Sequence, residues 1–314
     1  MIIGSEQDVT AAVLAEAERC TDPRLREILR AAIKHLHAFV RETRLTEQEF
    51  QQLCRTIAAC GQATTASHNE VLLAAGSLGV SALVCLLNNT DPTQTETSAN
   101  MMGPFWRMDS PATENGGSIV RSATPGEPIF VEALVVDEAG RPLPGAEVDV
   151  WHASPEGFYE NQDPAQADMN LRGKFSTDAD GRIAFRSVKP LGYPVPVSGP
   201  VGALLRAQGR HNLRPAHLHF MLRKPGFKTQ FSQIYSDDDP HLDSDVQFGV
   251  TRALAAHYQR HDSGPPPAPD VAGAWYTLAQ RFVLRPGESL LPPAPVSGKA
   301  EGARPELTVL ERRG

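Results

Sequence analysis

Helical periodicity dominates residues 5–89, and from residue 90 the chain turns mainly to short β-branched runs set off by Gly and Pro. This change of texture restricts the fold to a helical front joined to a strand-built body. Asp22 followed by Pro23 marks a helix start, an N-cap oxygen with proline at the first helical position. Behind it Leu25, Ile28, Leu29, Ile33, Leu36 and Val40 recur at about 3.6 residues and form one apolar face. Thr46 and Glu49 have capping-box spacing ahead of Phe50 and Leu53. A further helix is expected over Glu70–Leu87, ending in Asn88-Asn89.

Residues 91–128, rich in Thr, Ser, Pro and Gly, read as a linker. Strands are expected at Phe130–Val136 and at Glu147–Trp151, where Val148 and Val150 share one face. Lys174–Thr177, the turn Asp178–Gly181 and Arg182–Val188 read as a hairpin, with further strands at Ala216–Leu222 and Phe231–Tyr235. Residues 245–262 suggest a short helix. The expected class is α+β: a helical domain over residues 1–100, an antiparallel β-sandwich over 101–290, and an extended arm over 291–314.

Charge and cysteine usage narrow the function classes. A net charge of −7 argues against a nucleic-acid footprint. The apolar run Val80–Leu87 is far short of the roughly 20 residues of a membrane span, and the N-terminus has no signal-peptide pattern. Cys20, Cys54, Cys60 and Cys85 include no C-x-x-C pair, which suits a reducing cytoplasm and argues against a cysteine-built zinc site. G-x-S-x-G, P-loop, G-x-G-x-x-G and H-E-x-x-H motifs are missing, and Asp237-Asp238-Asp239 reads as a solvated turn.

Two constellations carry chemistry. In Arg214-Pro-Ala-His217-Leu-His219-Phe220, residues i and i+2 of a strand share a face, so His217 and His219 stand side by side while Leu218 and Phe220 face the sheet core. Such a pair serves either as metal ligands or as hydrogen-bonding residues of a β-protein. Tyr159 and Tyr193 lie in loops beside glycine; each is a surface or core aromatic with its hydroxyl as a polar handle, or an anionic ligand if a strong Lewis acid lies near. His152, His211 and His241 lack a paired partner, and His35, His37 and His68 are expected on helices.

Taken in order, Val148-Asp-Val-Trp-His152, Gly157-Phe-Tyr159, Tyr193-Pro-Val-Pro196 and Arg214–Phe220 resemble the intradiol ring-cleavage dioxygenases, near the hydroxyquinol 1,2- and catechol 1,2-dioxygenase branches. The resemblance runs from about residue 25 to 255 and includes Gly103-Pro104-Phe105 and Gly199–Gly202. It implies one non-haem Fe(III) per chain, held by Tyr159, Tyr193, His217 and His219 with a hydroxide in a fifth position. It implies that Tyr193 yields to the incoming diol and takes a proton, that Arg214 stabilises negative charge on the ring, and that Gln233 orients substrate or hydroxide. The pocket walls carried over are Leu73, Gly76, Met101, Met102, Gly103, Pro104, Phe105, Val246 and Gln247.

The implied reaction opens hydroxyquinol (benzene-1,2,4-triol) with O2 to 3-hydroxy-cis,cis-muconate and so maleylacetate, or opens a catechol to a cis,cis-muconate. The resemblance also implies a homodimer through the N-terminal helices and leaves room for a phospholipid at that interface. The chain departs from the hydroxyquinol pattern at Gly76, where an acidic residue is usual, and at Gln233, where histidine is common. Gln247 replaces a small or apolar residue, and Ser198-Gly-Pro200 replaces Asp-Gly-Pro. Two other classes remain: a non-catalytic β-sandwich binding module, and a zinc hydrolase built on His217 and His219, for which the sequence offers no obvious third ligand.

Overall fold

The computed structural model describes residues 2–89 and 99–312, so part of the expected linker lies outside the described residues. The chain divides into two compact units, residues 1–58 and 59–314, a different boundary from the expected one near residue 100.

The first unit holds α1 (Glu6–Ala17), α2 (Pro23–Thr43) and most of α3 (Glu47–Ala63). The N-cap at Asp22 is present, its carboxylate accepting from the Arg24 and Leu25 amides. The capping box also forms: Thr46 N donates to Glu49 at 2.9 Å and Glu49 N to Thr46 Oγ1 at 3.3 Å. The apolar stripe of α2 stays exposed, with Leu36 at 62% and Ile28 at 49%.

In the second unit, the single helix expected over Glu70–Leu87 is two: α4 (Glu70–Ser77) and α5 (Val80–Asn89), bent by 75°. Gly79 causes the break, because its φ of +73° leaves the right-handed helix. His68 precedes α4 rather than lying on a helix.

Two sheets follow. One has the order β10-β11-β1-β4, from β1 (Pro128–Asp137), β4 (Arg182–Val188), β10 (Gln259–His261) and β11 (Trp275–Leu284). The other has the order β3-β2-β7-β8-β9, from β2 (Glu147–Trp151), β3 (Arg172–Ser176), β7 (His217–Arg223), β8 (Gln230–Ser236) and β9 (Ala255–Ala256). A two-stranded ribbon joins β5 (Tyr193–Pro194) to β6 (Leu213–Arg214), with α6 (Pro200–Ala207) between them.

The sheets are mixed rather than purely antiparallel, since β1 runs parallel to β11 and β8 to β9. A parallel pair needs a long crossover, and the whole of the sandwich between β1 and β11 supplies one. The expected hairpin does not form: β3 pairs with β2 and β4 with β1, so the Asp178–Gly181 turn carries the chain from one sheet to the other. The helix expected over 245–262 is a 3-10 turn (Arg252–Leu254) with β9 and β10. There the Asp245 carboxylate takes the Gln247 and Gly249 amides, local bonds that compete with a helix. Strand β11 is an element the sequence reading did not identify, although Gly273 precedes it and Pro286-Gly287 follows it.

Strand alternation on β7 decides where the site goes. Leu218, Phe220 and Leu222 enter the core between the sheets with Val148, Val150 and Phe185. The other face of the same sheet presents His217, His219 and Met221, and Met221 joins a second apolar cluster with Trp106, Trp151, Tyr159 and Tyr193.

Candidate metal centre

Four donor atoms converge on that outer face. The His217 and His219 Nε2 atoms are 3.1 Å apart, and Tyr159 Oη lies 2.9 Å from His219 Nε2 and 3.4 Å from His217 Nε2. Tyr193 Oη is 3.1 Å from Tyr159 Oη. All four side chains are buried.

Each donor is aimed by its neighbours. His217 Nδ1 donates to Pro215 O at 2.7 Å, so Nε2 carries the lone pair turned to the cluster. The His219 ring stacks on Trp151 at 4.7 Å, and its Nδ1 has no hydrogen-bond partner among the described residues, which leaves Nε2 as its polar outlet. Tyr159 stacks on Phe105 at 4.6 Å. Its loop is anchored by a buried ion network, in which Arg172 Nε donates to Glu160 at 2.7 Å and Arg107 donates to the same carboxylate at 2.8 Å. Tyr193 sits opposite Arg214 across the β5–β6 ribbon. Gly103, at φ +75°, passes so close to His219 that a β-carbon would stand 3.2 Å from its Cε1.

Burial sets the protonation of this cluster. It lowers His217 to about 3, with the Arg214 charge adding to the effect, and holds His219 well below the ordinary imidazole range. Both imidazoles are therefore neutral. Burial pushes both phenols up, Tyr159 further because Tyr193 stands beside it; Arg214 acts in the opposite sense on Tyr193. The donors fit a metal on these grounds. Donors about 2 Å from one ion stand about 3 Å from each other, and a strong Lewis acid reverses the effect of burial on a phenol. Two phenols with two neutral imidazoles are a hard, charge-compensating set suited to a trivalent ion. Among the described residues no group of three His, Cys, Asp or Glu side chains could hold a metal, so the zinc alternative gains no third ligand.

Arg214 is held by a ring of buried partners. Its Nε and Nη2 donate to Asp245 at 3.0 and 3.1 Å, and Nη2 also donates to Gln233 Oε1 and Tyr235 Oη, each at 2.8 Å. Nη1 reaches to 3.2 Å from His217 Nε2. Burial opposes the charge on Arg214, but Asp245, Tyr235 and Tyr193 more than offset this and keep its pKa well above the ordinary value. Burial likewise works to raise Asp245, and Arg214 holds it below the ordinary carboxylate range.

Gln233 is held at both ends: Oε1 also accepts from Tyr235 Oη at 2.7 Å, and Nε2 donates one hydrogen to Met101 O at 2.7 Å. The sequence reading missed Asp245 and Tyr235. The need for a carboxylate could have been inferred, since a buried guanidinium requires a partner.

Met101, Met102, Gly103, Pro104 and Gln247 line a cavity of about 520 Å³ with Leu72 and Phe231. Leu73, Phe105 and Val246 pack in the apolar cluster around the donors. Gly76 lies against the Gln247 side chain. His152 is a satisfied core residue, bonded to Ser187 Oγ at 2.6 Å and Ala153 O at 2.8 Å. His211 and His241 do find each other, with ring centroids 5.2 Å apart. Among the described residues no single helix is long and apolar enough to cross a membrane; α4 and α5 reach that length only as a bent pair.

A family model described as "Dioxygenase" matches residues 101–284, and one described as "Catechol dioxygenase N terminus" matches residues 22–96. The chain is 40% identical over 282 residues to hydroxyquinol 1,2-dioxygenase of Rhizobium sp., covering 89% of this chain and 95% of that one. It is 36% identical over 243 residues to catechol 1,2-dioxygenase of Candida albicans, covering 77% and 80%. The solved structure of hydroxyquinol 1,2-dioxygenase from Pseudomonas putida superposes with a TM-score of 0.77 at 35% identity, covering 90% of this chain and 99% of that one. With the donor order and the sandwich that carries it, these matches establish that the chain belongs to the intradiol ring-cleavage dioxygenase family.

Proposed function

We propose that the chain opens the ring of hydroxyquinol between its two ortho-hydroxylated carbons with O2, giving 3-hydroxy-cis,cis-muconate and hence maleylacetate. The observation that carries this reading is the convergence of four donors, Tyr159, Tyr193, His217 and His219, beside Gly103, a residue that packs against His219 and also lines the largely apolar cavity of about 520 Å³. One Fe(III) per chain would be held by these four residues. When bound it supplies the Lewis acidity that ionises the phenols and the substrate diol and leaves the ring electron-rich toward O2.

The protein's own groups do the rest. Tyr193 Oη receives a substrate proton; its place opposite Arg214 lets the guanidinium stabilise negative charge near the ring. Asp245 keeps that guanidinium charged and oriented. Gln233 positions Arg214 through Oε1 and the Met101 carbonyl through one Nε2 hydrogen, and its second N–H is the group that would orient substrate or hydroxide. Gly103 and Phe105 shape the space around His219 and Tyr159. Leu73, Gly76, Met101, Pro104, Val246 and Gln247 complete the substrate side.

Catechol or a substituted catechol is the second reading. It is favoured by Gly76, which supplies no carboxylate for a third ring hydroxyl, whereas Gln247 Nε2 is committed to Ser77 Oγ at 2.8 Å. The division into residues 1–100, 101–290 and 291–314 is kept as the functional one. The exposed stripe of α2 suits a homodimer, and a phospholipid between the helices is compatible with so much uncovered apolar surface. The four free thiols suit a reducing cytoplasm.

A visible spectrum of the purified protein, then anaerobic addition of catechol and of hydroxyquinol, tests the proposal. A broad phenolate-to-iron band that moves further with hydroxyquinol, followed in air by a ring-opened product, is the expected result. A colourless protein after ferric loading would overturn the metal assignment, and turnover of catechol alone would overturn the substrate.

A further inference from the structure

Residues 285–312 lie beyond the 101–284 stretch that the family model matches, yet they are tied to both tyrosine-bearing segments. On the Tyr159 side, Arg304 pairs with Glu156 at 3.0 Å and Asp163 at 3.1 Å and lies 4.8 Å over the Phe158 ring. The Ala300 amide donates to Asn161 O at 2.7 Å. Leu307 covers Gly157, where a β-carbon would stand 2.9 Å from its Cδ1.

On the Tyr193 side the link is Asn212, a fully buried side chain. Its Nδ2 donates to Val195 O at 2.7 Å and to Thr308 O at 2.9 Å, and its Oδ1 accepts from Leu310 N at 2.8 Å. Asn212 O also accepts from Val195 N at 2.8 Å, extending the ribbon that sets Tyr193 opposite Arg214. Asn212 thus joins the arm to a ribbon whose two short strands pair at only two positions, and so short a ribbon is weak alone. A cavity of about 150 Å³ between the arm and Pro194–Ser198 leaves that segment room to shift if the arm lets go.

We propose that the C-terminal arm, acting through Asn212 and Leu307, is a positioning element that fixes the two tyrosine-bearing segments and so sets how readily Tyr193 gives way to the diol. The proposal rests on the reading of Tyr193 as an exchangeable ligand. A purely structural arm would stabilise the sandwich as a whole and leave the ribbon no more affected than the rest.

The test uses the full chain with Leu310→Pro, which removes the N–H that Leu310 donates to Asn212 Oδ1, and Leu307→Ala, which uncovers Gly157; Glu301→Ala, at an exposed arm position, is the control. Hydrogen exchange is first measured on the metal-free protein. The Tyr193, Val195 and Val197 amides are expected to exchange about fivefold faster or more in Leu310→Pro, as loss of one tether permits, with β7 unchanged. In the iron-loaded form both arm variants are expected to keep iron, and the catechol concentration that half-displaces the visible band is expected to fall about threefold or more, since a looser Tyr193 opposes the diol less. Exchange matching the control, exchange accelerated equally in β7, or an unchanged catechol titration would each overturn the proposal. A wild-type protein that binds iron without a phenolate band would instead sink the ferric reading, and the metal-free exchange result is independent of it.

Discussion

The side-chain carbonyl of Gln247 fills the space that a β-carbon on residue 76 would need, so Gly76 and Gln247 are complementary in size. The Gln247 amide is held there by its bond to Ser77 Oγ at 2.8 Å, one residue along the same helix. Gly76→Ala alone should overpack this wall and destabilise the protein by about 1–3 kcal/mol, and Gly76→Ala with Gln247→Ala should recover most of that loss. Urea unfolding of the two single variants and the double variant measures the coupling. Additive effects would show that the two side chains do not compete for one space. The ratio of kcat/KM for hydroxyquinol to that for catechol should change in Gln247→Ala.

The Arg214–Asp245 pair is buried on both sides, with relative side-chain exposures of 3% and 2%. Asp245→Asn would leave a buried guanidinium without its counter-charge, a loss of about 3–5 kcal/mol for a pair of this kind. Asp245 is held below its ordinary pKa, so its contribution is complete above the unfolded carboxylate value and is lost as pH falls through the lower folded value. Urea midpoints measured from pH 6 downward should fall more steeply below about pH 4 in the wild type than in Asp245→Asn.

His152 is neutral in the folded protein, lowered by burial to about 4. The unfolded chain takes up its proton near pH 6.5, so native stability is complete above that value and is lost as pH falls toward 4. The size is about 3 kcal/mol at most. His152→Asn should be less stable at pH 7 but show a flatter decline between pH 6.5 and 4. A decline as steep as the wild type's would assign the acid sensitivity to other groups.

For the donors, Tyr159→Phe, His217→Ala and His219→Ala should each lose iron, read by metal analysis of the purified protein. Arg214→Ala is expected to retain the metal and the visible band while turnover falls about a hundredfold, the range for removing a charge-stabilising donor. Full iron and full activity in His219→Ala would overturn the ligand set.

Local chemistry was legible in the sequence because it is encoded over a few residues. The Asp22 and Thr46 caps, the alternation that sends Leu218 and Phe220 inward and His217 and His219 outward, and the run of glycine-flanked tyrosines all depend on neighbours within one turn or one strand. Partner choice between distant segments was not encoded that way. Whether β3 joins β4 or crosses to the other sheet, and whether β11 runs parallel to β1, are settled by burial of both faces of the sandwich, which no window of sequence contains. The same holds for the carboxylate under Arg214, 31 residues further along the chain, and for the arm that meets Asn212 across a separation of 96. Sequence by itself determined which side chains could serve as donors. Only the tertiary structure brought four of them within 3.4 Å neighbour contacts, because desolvating two phenols and two imidazoles together takes the packing of the whole outer face of one sheet.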